Sequence, residues 1–116
     1  MNSDNLEQHW NSYLAAFHST DEKERTHLLQ QCVSEEVVFT NPGGEGRSRA
    51  ALSAHIEKFH KMMPGAYFST DKVFIHHGEL LAVWSMYTPD GTKAQTGYNF
   101  VRPDQDGRFS QMAGFF

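Results

Sequence analysis

The chain has little cysteine, no basic cluster and no long apolar run. Its 116 residues include one cysteine, Cys32. No internal disulfide can form, so nothing in the chain calls for an oxidising compartment. Cys32 shares an apolar stripe with Leu28 and Leu29, and no adjacent group would lower its pKa. That pattern reads as a buried thiol rather than a nucleophile. No basic run exceeds two residues and the formal net charge is -4. The positive footprint that nucleic acids require is missing, and anionic membrane surfaces are disfavoured for the same reason. No apolar run approaches the ~20 residues of a membrane span. Met1 to Gln8 is polar and acidic, without the apolar segment of a secretory signal. A cytoplasmic location is the expectation.

Metal and nucleotide motifs are also missing. The chain has seven histidines but no HExxH pattern. His76 and His77 are adjacent in a strand pattern, which predicts opposite faces, and His55 and His60 are five apart on a helix, a poor ligand pair. The run Gly43-Gly44-Glu45-Gly46 with Arg47 and Arg49 precedes a helix, yet its spacing fits neither the P-loop nor the dinucleotide fingerprint, and Glu45 opposes a phosphate. It reads as a turn or lid. No metal and no cofactor is expected.

What is present is an ordinary globular composition, 39% hydrophobic and 21% charged, on a length that suits one domain over 1–116. Nine Phe, four Tyr and two Trp are enough for a core and for the wall of an apolar cavity.

The hydrophobic period divides the chain into a helical half and a strand half, the α+β order. A first helix is predicted from about Asp4 to Phe17, with Leu6, Trp10, Tyr13, Leu14 and Phe17 on one face and Asp4 with Glu7 as a capping box. Ser19 and Glu22 repeat that signal, so a second helix should start near Thr20 and carry Leu28, Leu29, Cys32 and Val33 inward. The stretch Asp21-Glu22-Lys23-Glu24-Arg25 reads as its solvated face. A short strand, Val37 to Thr40, runs into the break Asn41 to Gly46. Ser48 then caps a third helix whose stripe is Leu52, His55, Ile56, Phe59, Met62 and Met63, ended by Pro64-Gly65. Four strands follow: Tyr67 to His77, Leu80 to Thr88, Lys93 to Arg102 and Phe109 to Phe116. Gly78-Glu79, Pro89-Asp90-Gly91 and Asp104 to Gly107 turn them. The order ααβαββββ predicts a strongly bent antiparallel sheet packed on three N-terminal helices, a cone-shaped roll open at one end.

Several local motifs carry a resemblance. They are Trp10, Tyr13 and Phe17 on the first helix, Val37-Val38-Phe39-Thr40-Asn41-Pro42-Gly43, Gly46-Arg47 entering the third helix, Leu80 to Met86 before a hairpin, and Gly97 on the next strand. In this order they resemble the SnoaL-like polyketide cyclase and ketosteroid isomerase group of the nuclear-transport-factor-2-like superfamily, over nearly the whole chain. The resemblance implies an apolar pocket for a small apolar or carbonyl-bearing molecule. It also implies an isomerase, cyclase or hydratase activity and a homodimer formed through the outer sheet face. Isomerase members carry an Asp just before the Pro that follows the first strand; here that position is Asn41, and an amide is no general base. The resemblance also implies an oxygen-binding donor at Tyr13 and a second donor at Asn99.

Each candidate has two readings. Asn41 is a turn amide satisfying local backbone, or it shares the face of Val37 and Phe39 and lines the pocket. Tyr13 is a core tyrosine or a donor to the ligand. His55, on the inward stripe beside Ile56 and Phe59, is a satisfied histidine or the base that Asn41 is not. Met62, Met63, Met86 and Met112 are core or adaptable lining. The expected apolar wall is Trp10, Phe17, Phe39, Phe59, Met63, Trp84, Met112 and Phe115. Three functions remain open at this stage: an enzyme on a carbonyl-containing or polycyclic ligand, a non-catalytic ligand carrier or sensor, and a protein-interaction module using the outer sheet face.

Overall fold

The computed structural model describes residues 3–116, with side chains described from residue 5. The predicted capping box at Asp4 therefore lies outside the described side chains. Nine elements follow in order: α1 (Ser3–His18), α2 (Glu22–Cys32), β1 (Val33–Asn41), β2 (Gly44–Arg47), α3 (Arg49–Met62), β3 (Tyr67–His76), β4 (Glu79–Tyr87), β5 (Lys93–Pro103) and β6 (Phe109–Phe115). One six-stranded sheet has the order β2-β1-β6-β5-β4-β3. Among the described residues no helix is long and apolar enough to cross a membrane.

The α+β order and the bent sheet agree with the sequence expectation, with two differences. The sheet is mixed rather than antiparallel, because β1 runs parallel to β6. The two are joined by everything between them in sequence, so no hairpin forces them to run opposite ways. The second difference is an extra strand. The glycine-rich break is a hairpin in which β2 pairs back onto β1, with Phe39 opposite Gly46. Glycine there is a packing requirement: a Cβ on Gly46 would stand 2.5 Å from the Phe39 ring.

Smaller corrections have local causes. The cap of α2 is Asp21, whose side chain accepts from the Lys23 N–H at 3.0 Å; the Ser19 hydroxyl instead donates to the Asp21 carbonyl. Val33 leaves the helix and starts β1 in extended conformation. Arg25 is not on a solvated face. It sits with Leu29 and Cys32 on the buried side of α2, only 2% exposed, at the i, i+4, i+7 spacing of one stripe. Its guanidinium donates to the Ser53 hydroxyl at 2.9 Å and to the Ser19 carbonyl at 3.2 Å, tying the end of α1 to α3. The turn between β3 and β4 is His77-Gly78, both at positive φ, the conformation of a two-residue hairpin loop. His77 therefore leaves the strand, and its ring meets His76, Nδ1 to Nδ1 at 3.1 Å, rather than pointing to the opposite face.

The helices cover the inner face of the sheet. α1 packs on α2 and β3, and α3 on α2 and β1. The core joins Leu6 and Trp10 of α1, Leu29 and Cys32 of α2, and Leu52 and Ile56 of α3 to Leu80, Ala82, Val101 and Phe109 of the sheet. Cys32 is fully buried, and burial pushes its thiol up to about 12 against a smaller opposing pull from Arg49. It stays a thiol, as its position on the stripe predicts. Register irregularities in β1, β3 and β5 bend the strands. The sheet and helices do not close completely, and a cavity of about 300 Å³ remains between them.

Candidate functional site

Period-2 alternation decides which sheet residues reach the cavity. On β4 the inward positions are Leu80, Ala82, Trp84 and Met86, all buried. On β5 the register places Gly97 opposite Trp84 and Gln95 opposite Met86. A Cβ on Gly97 would stand 2.2 Å from the Trp84 indole, so Trp84 lies flat across the bare backbone of β5. On β6 the inward positions are Met112 and Gly114.

The floor at one end is a row of three residues on three neighbouring strands. Asn99 is opposite Gly114, and since Thr40 is opposite Ala113, Asn41 flanks Gly114 from the other side. Glycine keeps the space between the two amides clear; a Cβ there would sit 3.3 Å from Asn41 and 3.4 Å from Oδ1 of Asn99. The Trp84 indole N–H donates to Oδ1 of Asn99 at 3.0 Å. An indole N–H can only donate, so the amide orientation is set and the NH₂ of Asn99 is left as a donor. Both readings of Asn41 hold at once. Its Oδ1 accepts the Gly43 N–H at 2.8 Å as a turn amide would, while its Nδ2 contacts Nε2 of His55 at 3.3 Å within the cavity lining.

Tyr13 reaches the cavity from α1. No described residue hydrogen-bonds its hydroxyl. Burial, then the nearby Cys32, raise its phenol above the ordinary range, so it remains an O–H donor. His55, from α3, is half-buried between the Phe39 ring, 5.6 Å away, and Asn41. Burial first, and the Lys58 charge second, hold its imidazole below the ordinary value, which keeps it neutral near pH 7.

Much of the remaining wall is aromatic. Phe17, Phe59 and Phe68 meet one another with ring centroids 5.1–5.2 Å apart, and Phe68 meets Trp84 edge-on at 5.2 Å. Edge and tilted contacts of this kind give a rigid apolar wall. Trp10 continues it, its indole N–H held by the Thr70 hydroxyl at 2.9 Å.

Tyr13, Asn41, His55 and Asn99 all line this one cavity, as do Trp10, Phe17, Phe39, Phe59, Met63, Trp84 and Met112. Phe115 does not. It is 60% exposed and sits beside Tyr98 on the outer face, because β6 alternates and Gly114 takes the inward place. Phe116, the next residue, lines the cavity instead and packs against Trp84 at 5.7 Å. Met62 is 67% exposed, whereas Met63 lines the opening. Met86, read as core or adaptable lining, does line the cavity, and residues missed include Leu14, Leu52, Phe68, Gln95 and Gly114. Gln95 could have been found by stepping two residues from Gly97.

Comparison with known proteins agrees with this architecture. The profile of the SnoaL-like domain matches residues 10–112. The chain belongs to the SnoaL-like domain family. A protein of that family from Agrobacterium tumefaciens, provisionally named an isomerase, superposes with a TM-score of 0.90 at 26% identity over 97% of each chain. A protein of unknown function with a cystatin-like fold from Methylobium petroleophilum gives a TM-score of 0.81 at 19% identity, over 99% of this chain and 77% of that one. A protein from Sinorhizobium meliloti, provisionally named a polyketide cyclase, gives 0.75 at 14% identity, over 98% and 99%. No curated protein matches the chain. The last two likenesses speak for the fold alone. In this SnoaL-like domain the residue before Pro42 is an amide, and among the described residues the cavity lining carries donors and one imidazole but no carboxylate.

Proposed function

We propose that the chain binds an uncharged, largely apolar molecule bearing a hydrogen-bond-accepting oxygen, and acts on it in the manner of an isomerase or cyclase. The observation that carries this reading is the composition of the lining. Most of it is aromatic or aliphatic, the Asn99 NH₂ and the Tyr13 hydroxyl are donors within it, and among the described residues no charged side chain lines the cavity. An ionised ligand would be desolvated there without a counter-charge, which is costly. A carbonyl oxygen would meet donors already oriented, the arrangement that stabilises developing negative charge on oxygen. The provisional isomerase name of the Agrobacterium relative is consistent with that chemistry. The same cavity without a carboxylate suits carriage of such a ligand without reaction, and that is the second reading.

The outer face supports a homodimer as part of this proposal. Two cross-strand rows, Phe74-Leu81-Phe100-Ala113 and Lys72-Val83-Tyr98-Phe115, present aromatics to solvent, with Phe74, Tyr98 and Phe115 each 46–60% exposed. A contiguous apolar face of this kind is usually covered by a partner, and a two-fold copy is the commonest one.

The test is native mass spectrometry of the purified protein, with identification of any released molecule, followed by thermal shift against neutral ketones and their carboxylate analogues. A neutral ketone at about 100 times its Kd should stabilise by about 2.7 kcal/mol, and its carboxylate analogue should not. Stabilisation by the carboxylates alone, or by neither set, would remove the reading. A monomer in native spectra would remove the dimer.

A further inference from the structure

The Asn41 amide has one orientation open to it, and that decides the protonation state of its neighbour. The Gly43 backbone N–H is a donor only, so the atom facing it at 2.8 Å is the carbonyl oxygen Oδ1. The other end of the amide, Nδ2, then faces Nε2 of His55 at 3.3 Å. An amide nitrogen donates and does not accept. Nε2 therefore presents its lone pair, and the single proton of the neutral ring is on Nδ1. We propose that Asn41 is a positioning residue that holds His55 in the Nδ1–H form, and that Nε2 of His55 is the atom that takes a proton from the molecule bound in the cavity.

This rests on the function proposed for the cavity and deepens it. Among the described residues His55 is the one imidazole in the lining and no carboxylate lines it, so His55 is the remaining neutral base near pH 7. The groups around it favour the unprotonated ring. The Phe39 ring lies against it from β1, Lys58 acts on it from its own helix, and no described carboxylate forms an ion pair with it. The 3.3 Å contact is long for a hydrogen bond, so the lone pair is oriented without being strongly engaged. A bound molecule that displaces the amide hydrogen meets a free acceptor.

The step balances without a co-reactant. Nε2 takes a proton from a carbon next to the ligand's carbonyl. The C–H electron pair becomes a C=C bond, and the carbonyl pair moves onto oxygen, where the Asn99 NH₂ and the Tyr13 hydroxyl can donate. In a ligand with a C=C bond between the second and third carbons from the carbonyl, the imidazolium then returns the same proton to the third carbon. The C=C bond ends between the first and second carbons, and the carbonyl re-forms.

Putting Asp at position 41 reverses the local polarity. One carboxylate oxygen would still take the Gly43 N–H, and the other would face Nε2 as an acceptor. The proton would move to Nε2, and the new negative charge would favour the imidazolium.

The experiment is long-range ¹⁵N–¹H NMR on ligand-free protein labelled in histidine, across pH, for the native chain and for Asn41→Asp. The expected result is an unprotonated Nε2 and a protonated Nδ1 at His55 in the native chain. In Asn41→Asp the proton should sit on Nε2, with the titration of His55 moved upward. A native His55 protonated on Nε2, or the same form and titration in both proteins, would overturn the inference. The native measurement stands even if the variant does not fold. No ligand is involved, so failure here is separate from failure of the ketone panel.

Discussion

The two faces of the same three strands, β4, β5 and β6, are built on opposite plans. On the inner face two large side chains beside the cavity are set against glycine: Trp84 lies across Gly97 and Asn99 is beside Gly114. On the outer face large side chains stand in unbroken rows, Phe100 between Leu81 and Ala113, and Tyr98 between Val83 and Phe115. Glycine on the inside leaves room that the helices do not fill, and that room is the cavity. Bulk on the outside leaves no room, and its apolar area is left to solvent or to another surface. Cations soften the outer face without covering it. Lys72 is 4.8 Å from the Phe74 ring and Arg102 is 5.5 Å from that of Phe100. The hollow inner face and the apolar outer face thus differ in where glycine falls in a period-2 pattern.

The strongest way to break that contrast is to put a side chain on the inner face. Gly97→Val places carbon 2.2 Å from Trp84, which no rotamer change in the new residue relieves. Trp84 must swing into the cavity and give up its hydrogen bond to Asn99. Overpacking of this sort costs about 1–3 kcal/mol. Thermal denaturation should show a lower Tm, and ligand-induced stabilisation should vanish together with it. An unchanged Tm would mean that Trp84 does not rest on β5.

The outer face should respond in the opposite sense. Phe115→Glu alters a side chain that is mostly exposed and, unlike its neighbours Gly114 and Phe116, does not line the cavity. Stability of the isolated chain should change by no more than about 0.5 kcal/mol, with cavity binding retained. Native mass spectrometry and light scattering should show the proposed dimer dissociating, because a carboxylate buried at a two-fold interface meets its own copy. A variant that stayed dimeric would place the interface elsewhere.

Much of this plan was legible from periodicity, and the exceptions have physical reasons. The α1 stripe Trp10, Tyr13, Phe17 and the inward set Phe39, Asn41 follow from spacing alone and all reach the cavity. Phe115 was misassigned because two phenylalanines end the chain side by side, and a one-residue change of register exchanges the faces. β2 was hidden because glycine carries no period. The parallel pairing of β1 with β6 was hidden because a strand's own pattern does not name its partner. Arg25 reads as solvated because a charge usually is; its burial depends on the Ser19 carbonyl in the turn after α1 and on the Ser53 hydroxyl of α3. The four polar candidates were named from sequence, but the orientation of the amides was not legible there. It depends on Gly43 and on Trp84, and those contacts exist only once the strands are in register.

The smallest effect concerns protons beside the aromatic wall of the cavity, where the inner face should be sensitive to mild acid. The Phe68 backbone N–H donates to Nε2 of His18 at 2.9 Å, so that nitrogen must be unprotonated in the folded chain. The two rings stack with centroids 6.1 Å apart, and His60 lies close enough to disfavour a second charge. Burial first, and His60 second, hold His18 below the ordinary imidazole value, which is about 6.5 in the unfolded chain. Between that value and the lower folded one the unfolded state binds more protons, so folding stability should fall as pH is lowered through this window. Below the folded value the loss should level off. His55, shifted in the same direction, adds to the same limb. In His18→Gln the side-chain oxygen can still accept the Phe68 N–H but cannot titrate. Its Tm, followed from pH 8 to pH 5, should lose part of the acid-side decline while matching the native chain near pH 8. If the two profiles stay parallel, protonation of His18 is not what weakens the fold in mild acid.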